Sequence, residues 1–327
     1  MDTLHTWFVI VVVAFCLIGL VANVLLIGLI LFRTPKMIEK YSKLVMCSAI
    51  FDLIGLVCMI FVVPKEVCYD KGDTTIVHFY GACVLMGEEA CWTNFGILEC
   101  IYTVTSCFLC FSYIFRLLVI KSRSPSYAVL IVVCCCIIIP HMVLAFGYYK
   151  MFEKGRYFVN NGLGRHTETF GKDVIGMFCY ADYRDWLPFS VVHYTLISAT
   201  IPFVSSIPLR SMVIRHLNRA QMNMSEASKN MHRMLIRALN IQLVVASCFF
   251  LAMIIFVINN YGDSQAHWPD YTSVPMATLQ NVLAPIANIY VIMPYRRAFV
   301  SLLRCSTKIE ATVMSSFHMS ETETENE

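Results

Sequence analysis

The sequence predicts an all-α membrane protein: a seven-transmembrane helix bundle, N-terminus outside, with a short interfacial helix after the seventh span. Three observations carry this reading. Seven long apolar runs follow one another, Lys and Arg are excluded from them save for Lys43 in the first turn of the second, and those cations fall unevenly between them. Apolar residues make up 58% of the 327-residue chain and charged residues only 14%, against ~25% charged in a soluble domain. Each run covers about 20 residues or more, which at about 1.5 Å per residue crosses ~30 Å of hydrocarbon. In lipid only a helix satisfies its own backbone polar groups over that length.

The first run, Thr6–Phe32, is uncharged and no Lys or Arg precedes it. It is too long for the apolar core of a cleaved leader, so an uncleaved anchor is expected. Tyr41–Val63 admits Lys43 in its first turn and Asp52 near its centre. Trp92–Phe115 holds one acid, Glu99, two turns below its start. Tyr127–Tyr149 contains Cys134, Cys135 and Cys136, which read as small apolar packing residues, and a lone His141. Leu187–Leu209 and Ala238–Asn259 are joined by Arg210–Arg237, read as extensions of both helices around a polar turn near Asn223–Ser228. Tyr271–Met293 is the seventh run. After Pro294, the segment Tyr295–Cys305 puts Phe299, Leu302 and Leu303 on one side and Arg296, Arg297 and Arg304 on the others, the pattern of an interfacial helix. Residues 1–309 form one domain; residues 310–327 are polar and acidic and should be disordered. The long segments Pro64–Cys91 and Lys150–Trp186 are assigned no strand.

Orientation follows from the cations. Seventeen of the 25 Lys and Arg lie in gaps on one side, and eight on the other, six of these within the long segment Lys150–Arg184. Long loops weigh little in this rule, so the cation-rich side is cytoplasmic. The net charge of +3 is loop charge facing the cytoplasm and implies no nucleic-acid partner. The sequon Asn223-Met224-Ser225 falls on the cytoplasmic side and should stay unglycosylated.

Ten of the 15 cysteines lie within spans; Cys68, Cys83, Cys91 and Cys179 are exofacial, where disulfides form, and four residues allow three pairings. No Cys or His spacing supports a structural metal, and no cofactor is implied. Metalloprotease, phosphate-loop and nucleophile-elbow motifs are all absent, so no enzyme is indicated. A carboxylate within a span costs a few kcal/mol or more unless it faces a partner or a cavity. Asn23 and Asn288 are natural neighbours for Asp52, giving an internal polar network or a protonation- or cation-linked switch. Glu99 shares a helix side with Phe95 and Tyr102. A transporter or channel would need polar residues continuing through the bundle, and two acids in seven spans argue against it.

A set of short motifs runs the length of the chain. These include Gly19-Leu-Val-Ala-Asn23, Thr34-Pro35-Lys36, Gly81-Ala-Cys83 with Cys91, Phe111-Ser112-Tyr113, Ser124-Pro125-Ser126, Met231-His232-Arg233 and Met293-Pro294-Tyr295-Arg296-Arg297. In order and spacing they resemble the nematode chemosensory serpentine receptors, class delta, which are seven-transmembrane receptors of the G-protein-coupled type. The resemblance implies a small odorant or pheromone-like ligand bound near Asn94, Phe95, Glu99, Tyr102 and His193. It also implies a heterotrimeric G protein facing Arg116, plasma-membrane placement in a sensory cilium, and an arrestin-like partner for a phosphorylated tail. The expected disulfide is Cys91–Cys179, with Cys83–Cys179 as competitor, and Cys305 is the expected lipidation site. Departures from the wider rhodopsin-like pattern are specific. Phe115 stands where an acid would precede Arg116, and Ala284-Pro285-Ile286-Ala287-Asn288 replaces Asn-Pro-x-x-Tyr. A carboxylate for an amine would be expected at Leu98, about 100° around the helix from Glu99, which speaks against a biogenic amine. A receptor-like protein that has lost coupling is the remaining alternative.

Overall fold

A computed structural model describes residues 3–35, 38–69, 74–121, 125–162, 177–182, 185–220, 226–261, 268–302 and 304. Eight helices and three strands follow in the order α1 Thr3–Arg33, α2 Glu39–Val62, β1 Pro64–Tyr69, β2 Thr74–Phe79, α3 Glu88–Ile120, α4 Tyr127–Gly162, β3 Met177–Asp182, α5 Trp186–Ala220, α6 Glu226–Tyr261, α7 Pro269–Val291 and α8 Met293–Leu302. Six of the helices are long and apolar enough to cross a membrane by themselves. The seventh, α7, meets that measure only together with α8, from which it bends by 93°. Its composition explains this: Ser273, Thr278, Gln280, Asn281 and Asn288 lie along it and are buried inside the bundle rather than turned to lipid. Large apolar side chains do face outward elsewhere, among them Val21, Leu31, Val132, Val143, Ile201 and Val244. Such a coat suits hydrocarbon and not water.

The axis of the bundle is α3, with 61% of its most apolar stretch buried, against 17–44% for the other spans. It packs on α2, α4, α5 and α6, while α1 closes against α2 and α7. Close approach is bought by small residues: a Cβ on Gly96 of α3 would lie 2.6 Å from that of Tyr148 on α4. The extensions of α5 and α6 to Ala220 and from Glu226 are as expected, and Arg116 falls inside α3 because that helix runs to Ile120. The turn carrying Asn223, the position of Cys305 and the tail 310–327 lie outside the described residues. The helix α8 does form after Pro294, anchored by Tyr295, whose fully buried hydroxyl donates to Ser42 Oγ at 2.8 Å and lies 2.9 Å from Thr34 Oγ1.

The sheet is a correction to the helical expectation. Strands β1, β2 and β3 form an antiparallel sheet in that order, across the bundle end at which α1 begins. Its signal was present mainly in Thr-Thr-Ile-Val-His-Phe, a β-branched run that follows Pro-Lys-Glu-Val-Cys-Tyr across a Gly- and Asp-containing sequence. The chain leaves α2 through Val63, buried and at a φ of 38°, a left-handed conformation a β-branched residue adopts only when its surroundings enforce it. Here the enforcement is visible: Tyr80 N donates to Val63 O at 3.2 Å and Gly81 N to Val62 O at 3.0 Å. The end of β2 is thereby stitched to the end of α2.

Gly81 has no room for a side chain, since a Cβ there would collide with the Phe61 carbonyl, part of the rigid backbone. Gly28 on α1 has open space in the same position. Gly81→Ala should therefore lower the thermal midpoint of the detergent-solubilised protein, by more than ~1 kcal/mol of stability, while Gly28→Ala leaves it unchanged or raises it. Equal midpoints for the two variants would show that the sheet is not held as described.

Candidate functional site

Beneath the sheet lies a cavity of about 80 Å³, walled by α2, α3, α4, α5, α6 and α7. Phe95, Glu99 and Tyr102 of α3 all line it, as their i, i+4, i+7 spacing requires for one helix side. Leu98 lines it as well, so the turn between Leu98 and Glu99 does not carry the carboxylate out of the site. The roof comes from the sheet by strict alternation. Pro64 and Glu66 of β1 and Thr75 and Val77 of β2 face the cavity, and the register pairs Glu66 with Val77. Lys65 and His78 are the next pair along and belong to the opposite face. There the Lys65 ammonium lies 3.9 Å from the centroid of the Tyr271 ring.

Aromatic packing fixes the walls. Trp92 Nε1 donates to the carbonyl of Tyr148 at 2.5 Å, and the Trp92 ring lies near those of Phe95, Phe79 and Tyr148. Deeper, Tyr102 stacks on Phe249 of α6 with centroids 5.0 Å apart. The Tyr102 hydroxyl, in a side chain only 2% exposed, has no hydrogen-bond partner.

Two of the expected ligand-site residues lie elsewhere. Asn94 turns toward α2, donating to Ala90 O at 2.8 Å with its carboxamide oxygen near Cys58 Sγ. His193 stacks on Phe189 and bonds Phe189 O, one turn back on α5, while Val192, Thr195 and Leu196 reach the cavity instead. Both residues were expected there on the resemblance, which does not resolve a rotation of one or two residues. The expected Cys91–Cys179 bond is replaced by Cys83–Cys91, and the competing Cys83–Cys179 pairing falls with it. The short turn Ala82–Leu85 and Gly87, at a φ of 103°, fold the chain back so that Cys83 meets the first turn of α3. Cys179 instead takes a backbone place in β3 opposite Val77. Glu66 was missed because a carboxylate in a loop has no reason to face inward until the loop is known to be a sheet.

A second cavity of about 50 Å³, nearer the other end, is lined by Asp52, Asn288, Gln242, Gln280 and Thr105 among others. It has no lining residue in common with the first. Gln242 Nε2 donates to Asn288 Oδ1 at 2.8 Å and Gln280 Nε2 to Thr105 Oγ1 at 3.3 Å. Asn23 is fully buried but donates to Gly19 O and Asn281 O, so the expected trio is divided: Asp52 and Asn288 share a cavity and Asn23 braces α1 on α7. Arg116, expected to face a partner, is 3% exposed, with its guanidinium 3.9 Å from the centroid of the Tyr41 ring and Nε and Nη2 without hydrogen-bond partners. No cluster of metal-ligating side chains occurs among the described residues.

The sheet carries two titrating groups of opposite sense. Burial first, then the charges of Lys65 and His5, push His78 down to about 4. Burial and the negative charge of Asp270 push Glu66 up to about 7. A histidine lowered in the fold contributes stability that is present above its unfolded value of ~6.5 and is lost as pH falls toward 4. The raised carboxyl does the reverse, favouring the fold as pH falls from 7 toward ~4.5. His78→Gln should therefore remove a loss of thermal stability between pH 6.5 and 4.5. Melting curves of both proteins across that range, with unchanged slopes, would contradict the buried neutral histidine.

Comparison with known proteins agrees with this architecture. The profile of the family described as serpentine type 7TM GPCR chemoreceptor Srd matches residues 8–301. The chain is 26% identical to serpentine receptor class delta-19 of Caenorhabditis elegans over 311 residues, covering 90% of this chain and 88% of that one. It is also 26% identical to serpentine receptor class delta-18 of the same organism, covering 87% and 85%. Among solved structures, squid rhodopsin superposes with a TM-score of 0.64 at 14% identity, over 93% of this chain and 88% of that one. That likeness concerns the fold.

Proposed function

Because the chain belongs to the serpentine type 7TM GPCR chemoreceptor Srd family, we propose that it receives a small odorant or pheromone-like molecule in the cavity beneath the sheet. Its sheet-bearing end faces outside, in the plasma membrane of a sensory cilium, and its other end engages a heterotrimeric G protein. The observation that supports this best is the placement of α3. One helix lines the aromatic cavity through Phe95, Glu99 and Tyr102 and carries the buried Arg116 toward its other end. A transporter or channel is disfavoured, since only two acids, Asp52 and Glu99, lie within the spans, and they fall in two cavities with no lining residue in common.

The arrangement at Arg116 is that of a closed state. With Phe115 in place of an acid, the guanidinium rests on the Tyr41 ring, a cation–π contact that strengthens when desolvated. Nearby, Tyr113 of α3 donates to Leu239 O of α6 at 2.8 Å. Ligand binding favours a second packing in which α6 moves and Arg116 meets the partner. In this reading Cys305 carries a palmitoyl anchor, read by acyl exchange, and the Ser- and Thr-rich tail docks an arrestin-like protein once phosphorylated.

The test is G-protein activation in a heterologous cell, challenged with volatiles and secreted metabolites. Tyr41→Ala should raise signalling without ligand several-fold, because Arg116 loses its cover, whereas Tyr41→Phe stays quiet. Surface-expressed protein that answers no compound, with Tyr41→Ala as silent as the parent, would favour a receptor without coupling. Truncation after Lys308 should leave activation intact and slow desensitisation; unchanged internalisation of the shortened protein would remove the tail's role.

A further inference from the structure

The receptor reading says where a ligand sits, and the walls of that cavity say what charge it carries. Glu66 enters from β1 and Glu99 from α3, and both line one space. Among the described residues neither forms an ion pair, and no Lys, Arg or His lines the cavity. The nearest cation in sequence, Lys65, is committed to the Tyr271 ring on the other face of the strand. Two carboxylates facing one apolar cavity cannot both ionise without large cost, and a bound cation relieves both at once. The rest of the lining suits such a cation. Trp92, Phe95, Tyr102 and Phe249 contribute aromatic rings, whose faces attract ammonium groups most strongly when water is excluded. The buried, unpartnered Tyr102 hydroxyl leaves one further polar contact to be made by whatever occupies the site. A cavity of about 80 Å³ holds only a handful of heavy atoms, since one water-sized sphere takes ~10–15 Å³ of such volume.

We propose that this cavity takes a small amine or quaternary ammonium, its cationic centre between Glu66 and Glu99 and its carbon skeleton against the Tyr102–Phe249 stack. The inference rests on the cavity being the ligand site and replaces the sequence argument against a biogenic amine, which turned on the carboxylate standing at Glu99 rather than at Leu98.

The experiment uses the full chain in lipid nanodiscs and follows its thermal midpoint. The probes are isobutylamine and tetramethylammonium, against the neutral isobutanol and the anion isobutyrate. The cations should raise the midpoint in a saturable way and the matched neutral and anionic probes should not. Glu66→Gln and Glu99→Gln should each weaken the response at least tenfold in concentration. Stabilisation by isobutanol or isobutyrate equal to that by isobutylamine overturns the proposal, as does the absence of any response to either cation. Full response retained in folded Glu66→Gln overturns it too. If a variant fails to fold, the comparison of probes on the unaltered chain still decides. G protein takes no part in this readout, so a failure of coupling leaves the inference standing. Conversely, a neutral odorant that activates the parent and the doubly substituted receptor alike would remove the cation and keep the receptor.

Discussion

Lipid offers no hydrogen-bond partner, and that one fact orders the molecule. Backbone groups are satisfied by helix, so the chain crosses as helices and reserves its strands for the end of the bundle. Side chains obey the same rule by turning inward. Ser273, Thr278, Gln280, Asn281 and Asn288 of α7 are buried, Asn23 bonds the carbonyl of Asn281 across to that helix, and Gln242 reaches Asn288 from α6. Each bond costs little to make and a great deal to leave unmade in hydrocarbon. The helices are thus located by their polar residues as much as by apolar packing, and the space left between those contacts becomes the two cavities.

The helix α3 is the element on which both ends depend. Seventeen residues separate Glu99 from Arg116, about 25 Å of helix, most of the thickness of a bilayer. One end presents an acid to a cavity and the other buries a cation on an aromatic ring. Neither charge is neutralised by an opposite charge among the described residues. Such a helix holds its position through packing and weak contacts, Tyr113 to Leu239 O and Arg116 over Tyr41, rather than through a buried ion pair. Weak contacts of this kind cost less to exchange than a buried ion pair, which is what a switch between two packings requires.

The sequence disclosed the spans, the terminal amphipathic helix and the inward side of α3, because each rests on a periodicity or a composition that lipid enforces. Phe95, Glu99 and Tyr102 share a cavity for that reason. What escaped depended on long-range contact. The Cys83–Cys91 bond requires the turn at Ala82–Leu85, which hydropathy does not report. The division of Asn23 from Asp52 and Asn288 reflects helix rotations finer than one residue's turn. The burial of Arg116 reflects the choice of Tyr41 on another helix as its partner, a pairing with no mark in either local sequence.

The sheet shows how much can hang on register. Along β1 and β2 the pairs alternate between faces, so that Glu66 with Val77 looks into the cavity and Lys65 with His78 looks away. A slip of one residue would exchange them, turning an acidic roof into a basic one without altering composition. Hairpins set in loops are prone to such slips unless their ends are held. Here both ends are: Val63 and Val62 accept bonds from Tyr80 and Gly81 at the α2 junction, and the Cys83–Cys91 bond fastens the following turn to α3. The disulfide closes a loop of eight residues, whose entropic effect on the unfolded chain is roughly 2–3 kcal/mol, yet its larger consequence is positional. By fixing where β2 ends, it fixes which side chains β1 turns inward, and so sets the charge of the cavity roof.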